Sequence, residues 1–127
     1  MKKAVLTLAA PAPIGPYSQA ILAGNTLYIS GQIAIVPATG ELLLNSIEEE
    51  TDQVLKNIGA ILIEAGLTFD HIVSCTVFVK DMGLFSRINA VYTRYFEAGI
   101  PPARALVEVR DLPKNVNIEI SAIAYTA

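Results

Sequence analysis

The stretch from Ser46 to Gly66 constrains the fold more than any other part of the chain. Ser46 opens it and Glu49 follows three residues later, the spacing of a capping box, while Glu48, Glu49 and Glu50 suit the positive end of a helix dipole. Ile47, Val54, Leu55, Ile58, Ile61, Leu62 and Ala65 then fall on one face at helical spacing, and Gly66 supplies a C-terminal stop. A helix with one apolar face must lay that face on another layer, and the flanking segments read as strands. Upstream, residues 2–8 alternate weakly, as a first short strand would. Pro11, Pro13 and Pro16 impose a rigid, extended loop. Tyr17–Ala23 and Thr26–Ser30 are predicted as strands, joined by the Gly24-Asn25 hairpin signal. Gly31-Gln32 and a short apolar piece, Ile33–Val36, lead into a turn at Pro37–Gly40.

Downstream, Ile72–Lys80 is dense in β-branched residues and is predicted as a strand in the sheet interior. Asp81 can cap a second helix over Leu84–Ala98, with Phe85, Ile88, Tyr92, Tyr95 and Phe96 as its buried stripe. Gly99 and the Pro101-Pro102 pair end it. Strands are predicted at Ala103–Val109 and Asn117–Tyr125, connected through Asp111–Asn115. The order ββ(β)-α-β-α-β-β predicts an α+β domain spanning residues 1–127, one sheet covered on one face by two helices. A chain of 127 residues buries roughly 68% of its unfolded surface, enough for a real core. Hydrophobic residues make up 53% of it and mean hydropathy is +0.48, yet no run approaches the ~18 apolar residues of a membrane span. The excess is expected to be buried against copies of the chain, which would also cover the second sheet face.

Nine basic residues against twelve acidic leave a net charge of −3 with no basic cluster, so nucleic acid is not an indicated partner. The single cysteine, Cys75, cannot form an internal disulfide, and with one histidine it cannot build a zinc site of the usual ligands. The N-terminal MKKAVLTLAAPAP is broken by prolines too early for a signal peptide, so cytoplasm is the default location. Phosphate-binding glycine patterns are absent. No G-x-S-x-G elbow surrounds Ser30, and His71, beside Asp70, reads as a turn residue, so a serine-hydrolase triad has little support.

The charges of the last two strands are the candidates for chemistry. Alternation places Arg104, Leu106 and Glu108 on one face of the first, and Glu119, Ser121 and Ile123 opposite the apolar face of the second. An arginine unpaired among apolar residues costs several kcal/mol, and its planar fork suits a carboxylate. Its partner can be Glu119, Glu108 or a ligand. Either Arg104 sits in a structural ion pair, or it clamps a small substrate's carboxylate while Glu119 handles a water or proton. A carboxylate at the edge of an apolar pocket has a raised pKa, which suits acid–base work.

PARALVEV (102–109) followed by NIEISAIA (117–124) resembles the C-terminal signature of the Rid family, the reactive intermediate deaminases also called YjgF or L-PSP proteins. APIGPYSQA (12–20), YISGQI (28–33) and TVFVKDM (76–82) are similar to the family's other segments, in the same order. The resemblance implies a chorismate-mutase-like fold and a homotrimer whose three sheets form a central barrel, with active sites in clefts between subunits. It implies hydrolysis of enamine/imine intermediates such as 2-aminoacrylate and 2-iminobutyrate to 2-oxo acids and ammonia, without metal or organic cofactor. Carried over residue by residue, Arg104 clamps the substrate carboxylate and Glu119 positions or activates water. Tyr17, Ser30 and Gly31, supplied by the neighbouring chain, complete the pocket, and Asn89 lies near it. Many relatives carry cysteine two residues after the arginine, where this chain has Leu106. Two other activities stay open: an endoribonuclease that inhibits translation, and a trimeric ligand-binding or holdase module without turnover.

Overall fold

The computed structural model describes residues 1–127. Six strands form one mixed sheet: β1 (Lys2–Val5), β2 (Ala20–Ala23), β3 (Thr26–Gln32), β4 (Ile72–Val79), β5 (Ala103–Glu108) and β6 (Ile118–Tyr125), in the order β1-β2-β3-β6-β4-β5. Two helices, α1 (Ile47–Glu64) and α2 (Phe85–Arg94), complete the α+β chain. β4 and β5 run parallel because α2 crosses between them, and the other pairs are antiparallel. No helix is long and apolar enough to cross a membrane.

Alternation along the interior strands builds the core. Leu27 and Ile29 of β3, Ile118, Ile120, Ala122 and Ala124 of β6, and Cys75, Val77 and Val79 of β4 are all buried on one side. They meet Val54, Leu55, Ile58, Ile61 and Leu62 of α1 and Ile88 and Val91 of α2. Each large aliphatic side chain buried there contributes about 1.5–3 kcal/mol. The other side of the sheet carries Ile21, Tyr28, Ile123, Phe78 and Val107, as the strand register requires. Nothing covers it in the single chain, and Tyr28, Val107 and Tyr125 are exposed there.

α1 starts as expected, with Ser46 Oγ accepting from Glu49 N at 3.1 Å, and Gly66 takes the left-handed backbone (φ 77°) that ends it. Elsewhere boundaries move. The first strand stops at Val5. The second begins at Ala20 rather than Tyr17, because the buried Gln19 side chain takes over the hydrogen bonding of the preceding loop. Its Nε2 donates to the carbonyls of Thr7, Ala10 and Pro11, and its Oε1 accepts from Thr7 N. β3 runs on through Gly31 to Gln32. Ile33–Val36 forms no strand beyond the single bridge Ile35 to Leu42; Asn57 of α1 donates instead to the carbonyls of Ile33 and Ile35.

Asp81 does accept from Gly83 N, but it caps a 3-10 turn (Met82–Leu84) from which α2 follows. α2 ends at Arg94, four residues before Ala98. Its last turn tightens as Tyr95 N and Phe96 N donate to carbonyls three residues back, and both rings fold in against Phe69. Phe85 is 43% exposed rather than part of a buried stripe.

Candidate functional site

The six residues singled out from the sequence fall into two groups on opposite faces of the sheet. Cys75 pairs with both Arg104 of β5 and Ala122 of β6, whereas Phe78, three residues on, pairs with Glu119. Residues paired across a ladder share a face, and positions three apart do not. Arg104 therefore stands on the helix-covered side and Glu119 on the uncovered side. Of the partners open to Arg104, this register removes Glu119 of the same chain, because within one chain the two side chains cannot meet through the sheet.

Glu119, Tyr17, Ser30 and Gly31 come together in one chain, lining with Ile14 and Pro113 a cavity of about 300 Å³. The expectation that Tyr17, Ser30 and Gly31 approach Glu119 from a neighbouring chain thus gives way to a grouping within the chain. β3 leaves its regular register against β6 between Ile29 and Gln32, which turns Ser30-Gly31 toward the cavity. Gly31 makes room for the acid: a Cβ there would stand 2.8 Å from Glu119 Cδ and closer still to Oε2. Ser30 Oγ donates to the Ser18 carbonyl at 2.6 Å, leaving its lone pairs free to accept. Tyr17 is anchored in the proline loop, its hydroxyl accepting from Ile14 N at 3.2 Å. Burial raises the pKa of Glu119 above the ordinary carboxylate value.

Glu50 of α1 braces this strand from behind. It is 0% exposed, and its carboxylate accepts from Asn117 N (2.8 Å), Ile118 N (3.2 Å) and Asn117 Nδ2 (2.7 Å), the residues just before Glu119. Pro113 belongs to a turn in which Lys114 and Asn115 take left-handed backbone (φ 55° and 57°), and Lys80 Nζ donates to Asn115 Oδ1.

Arg104 has different company. Its Nη1 donates to Asn89 Oδ1 at 2.7 Å, and its guanidinium carbon lies 4.8 Å from the Tyr92 ring centroid and 5.9 Å from that of Phe85. No carboxylate neutralises it. The ion pairs of the chain are Lys56–Asp52, Lys80–Asp111 and Arg87–Glu48, and Glu108 instead accepts from Met82 N at 2.8 Å. Both protein partners weighed for Arg104 are thus otherwise placed, and a solvent-exposed cation remains on the edge strand. Cys75 is buried, and that burial pushes its thiol pKa up, as for an inert core residue. His71 Nδ1 accepts from Thr68 N at 3.1 Å, a corner contact. Nowhere do three His, Cys, Asp or Glu side chains gather closely enough to hold a metal ion.

Sequence reasoning missed Gln19, Glu50 and Tyr92 as supports of these groups, and Ile14 and Pro113 as cavity walls. Glu50 and Asn57 carry a readable signal. Each is polar yet in phase with the apolar stripe of α1, four residues before and three after Val54.

The profile of the endoribonuclease L-PSP family matches residues 7–126. The chain belongs to the endoribonuclease L-PSP family, also called Rid or YjgF. It is 54% identical over 125 residues to a RutC family protein of Pyrococcus horikoshii, covering 98% of each. It is 48% identical over 124 residues to the 2-iminobutanoate/2-iminopropanoate deaminase of Bos taurus, covering 98% of this chain and 90% of that protein. Among solved structures, the Rid family protein YyfA of Yersinia pestis superposes with a TM-score of 0.97 at 49% identity, covering 99% of this chain and 100% of the other. TdcF of Escherichia coli, solved with bound serine, gives 0.95 at 38% identity, covering 98% and 99%. In this Rid/YjgF chain Leu106 stands on the same strand face as Arg104, two residues on, and is half-buried against the core.

Proposed function

We propose that the protein hydrolyses small 2-imino acids and their enamine tautomers, such as 2-iminobutyrate and 2-aminoacrylate, to 2-oxo acids and ammonia, at a site built from two chains of a homotrimer. The observation that carries this reading is Arg104, an arginine held by neutral groups and left without a carboxylate. The bovine relative's name supports the same chemistry. Because Arg104 and Glu119 occupy opposite sheet faces, a site using both takes them from different chains. The bare apolar sheet face supports assembly, since Tyr28, Val107 and Tyr125 would be covered if three sheets closed into a chorismate-mutase-like barrel.

In this mechanism the free edge of the Arg104 guanidinium binds the substrate carboxylate in a fork. Glu119 of the adjoining chain holds a water against the C=N carbon, which is already electrophilic and more so when protonated. The water oxygen adds to that carbon, one of its protons passes to Glu119, and the nitrogen takes up a proton. As the carbinolamine collapses, Glu119 returns its proton to the amino nitrogen, the hydroxyl gives up its own, C=O forms, and the C–N bond breaks to release ammonia. The raised pKa of Glu119 suits it to accept and return that proton. Ser30 Oγ and the Gly31 backbone line the same cavity and orient the water. The catalytic task is positioning and charge placement, and no cofactor is required.

Semicarbazide trapping of the imine released by a serine or threonine dehydratase measures turnover directly. The wild type is expected to deplete the trapped adduct. Arg104→Ala and Glu119→Gln chains are each expected to retain about a hundredth of wild-type activity or less, yet to regain activity when refolded together, in about a quarter of the sites by random assortment. No recovery on mixing would refute the two-chain site. Bound 2-oxobutyrate without faster imine loss would favour a ligand-binding module.

A further inference from the structure

Tyr92 lies under Arg104 without any part in the steps above. We propose that Tyr92 is a positioning residue: its ring is the floor on which the Arg104 guanidinium rests, turning the free edge of that guanidinium toward an incoming carboxylate. The inference rests on the reading of Arg104 as a carboxylate clamp.

Tyr92 is 7% exposed, and the guanidinium carbon lies 4.8 Å from its ring centroid, inside cation–π range. Asn89, three residues earlier on the same helix face, takes one guanidinium N–H at 2.7 Å. Together they fix the plane of the fork and one of its edges. An arginine on an exposed edge strand otherwise samples many rotamers, and that freedom would be lost on binding. An amide and an aromatic face hold the cation without neutralising it, whereas a carboxylate seat would compete with the substrate. The Tyr92 hydroxyl has no hydrogen bond of good geometry, and the Cys75 thiol beside it is at best a weak partner. The ring, not the hydroxyl, is therefore the working part.

The test compares wild type, Tyr92→Phe, Tyr92→Leu and Arg104→Ala by calorimetry with 2-oxobutyrate and by the semicarbazide assay, with thermal melts confirming the fold. Tyr92→Met, a ringless variant nearer in volume, accompanies Tyr92→Leu in case the latter does not fold. Tyr92→Phe is expected to bind and turn over like the wild type. The ringless variants are expected to raise Kd and KM roughly three- to tenfold with kcat changed less than about twofold, the split expected of a lost ground-state contact. Binding of 2-oxobutanamide, which lacks the carboxylate, is expected to be the same in the wild type and every variant. Ringless variants that bind 2-oxobutyrate like wild type, while Arg104→Ala does not bind it, would overturn the role of Tyr92 alone. Tyr92→Phe weakening as much as Tyr92→Leu would overturn it too, by moving the effect to the hydroxyl. Arg104→Ala binding normally would remove the clamp reading beneath it.

Discussion

Glu119 reaches its cavity from the start of an interior strand, whereas Arg104 stands on the edge of the sheet. β6 is hydrogen-bonded to β3 and β4 on its two sides, and Glu50 pins its first residues through three donors. The acid is thus held by main chain and partly desolvated, and the limit on it is steric, set by the missing side chain at Gly31. Arg104 has one neighbouring strand and is held by the side chains of Asn89 and Tyr92 on α2, open to solvent. A carboxylate meant to move protons gains from desolvation, which brings its pKa toward the working range. A cation meant to capture an anion gains from staying charged and reachable.

The largest expected break in this contrast comes from Arg104→Ala. It should lower kcat/KM on 2-iminobutyrate about 10³-fold, the scale of an unpaired interfacial charge, yet leave the melting temperature of the chain nearly unchanged, since Arg104 makes no ion pair. The semicarbazide assay and a thermal melt check both halves. Glu119→Gln should lower kcat about 10²-fold with KM little altered, as loss of a proton-transfer group does. Gly31→Ala should act on the acid half alone. By displacing the Glu119 carboxylate it should reduce kcat roughly tenfold, while Kd for 2-oxobutyrate, which reads the arginine half, holds.

Glu50→Gln replaces an acceptor oxygen by an amide that confronts backbone donors, and should destabilise the chain by about 1–3 kcal/mol in urea denaturation. The smallest effect concerns pH. Burial raises the pKa of Glu119, so the folded chain holds that proton more tightly than the unfolded chain does. Stability from this group is fully present below the unfolded value, about 4.3, and is lost as pH rises through the higher folded value. Glu119→Gln should therefore melt slightly above wild type near neutral pH, the gap closing toward pH 4. Arg104→Ala should show no such convergence.

Much of the architecture was legible because the elements in question repeat a simple pattern against one layer. α1 keeps its apolar side chains in phase from Ile47 to Leu62, and β6 buries every second residue from Ile118 to Ala124. The Gly24-Asn25 hairpin follows from local backbone preference, with Gly24 at φ 59°. The end of α2 was less legible, because Tyr95 and Phe96 leave helical phase to meet Phe69, a residue far away in sequence. Tyr17 fell outside the strand drawn for it because one buried glutamine, Gln19, commands the loop.

The amino-acid order alone determined the elements, the mixed charge pattern of the last strands and the family to which they belong, since each is written in spacing or in contiguous motifs. Tertiary structure decided which residues act together. A shift of one position in strand register exchanges the two faces of a strand, and the register of β4 against both β5 and β6 joins segments that lie far apart in the chain. That register alone sends Arg104 to α2 and Glu119 to the opposite face.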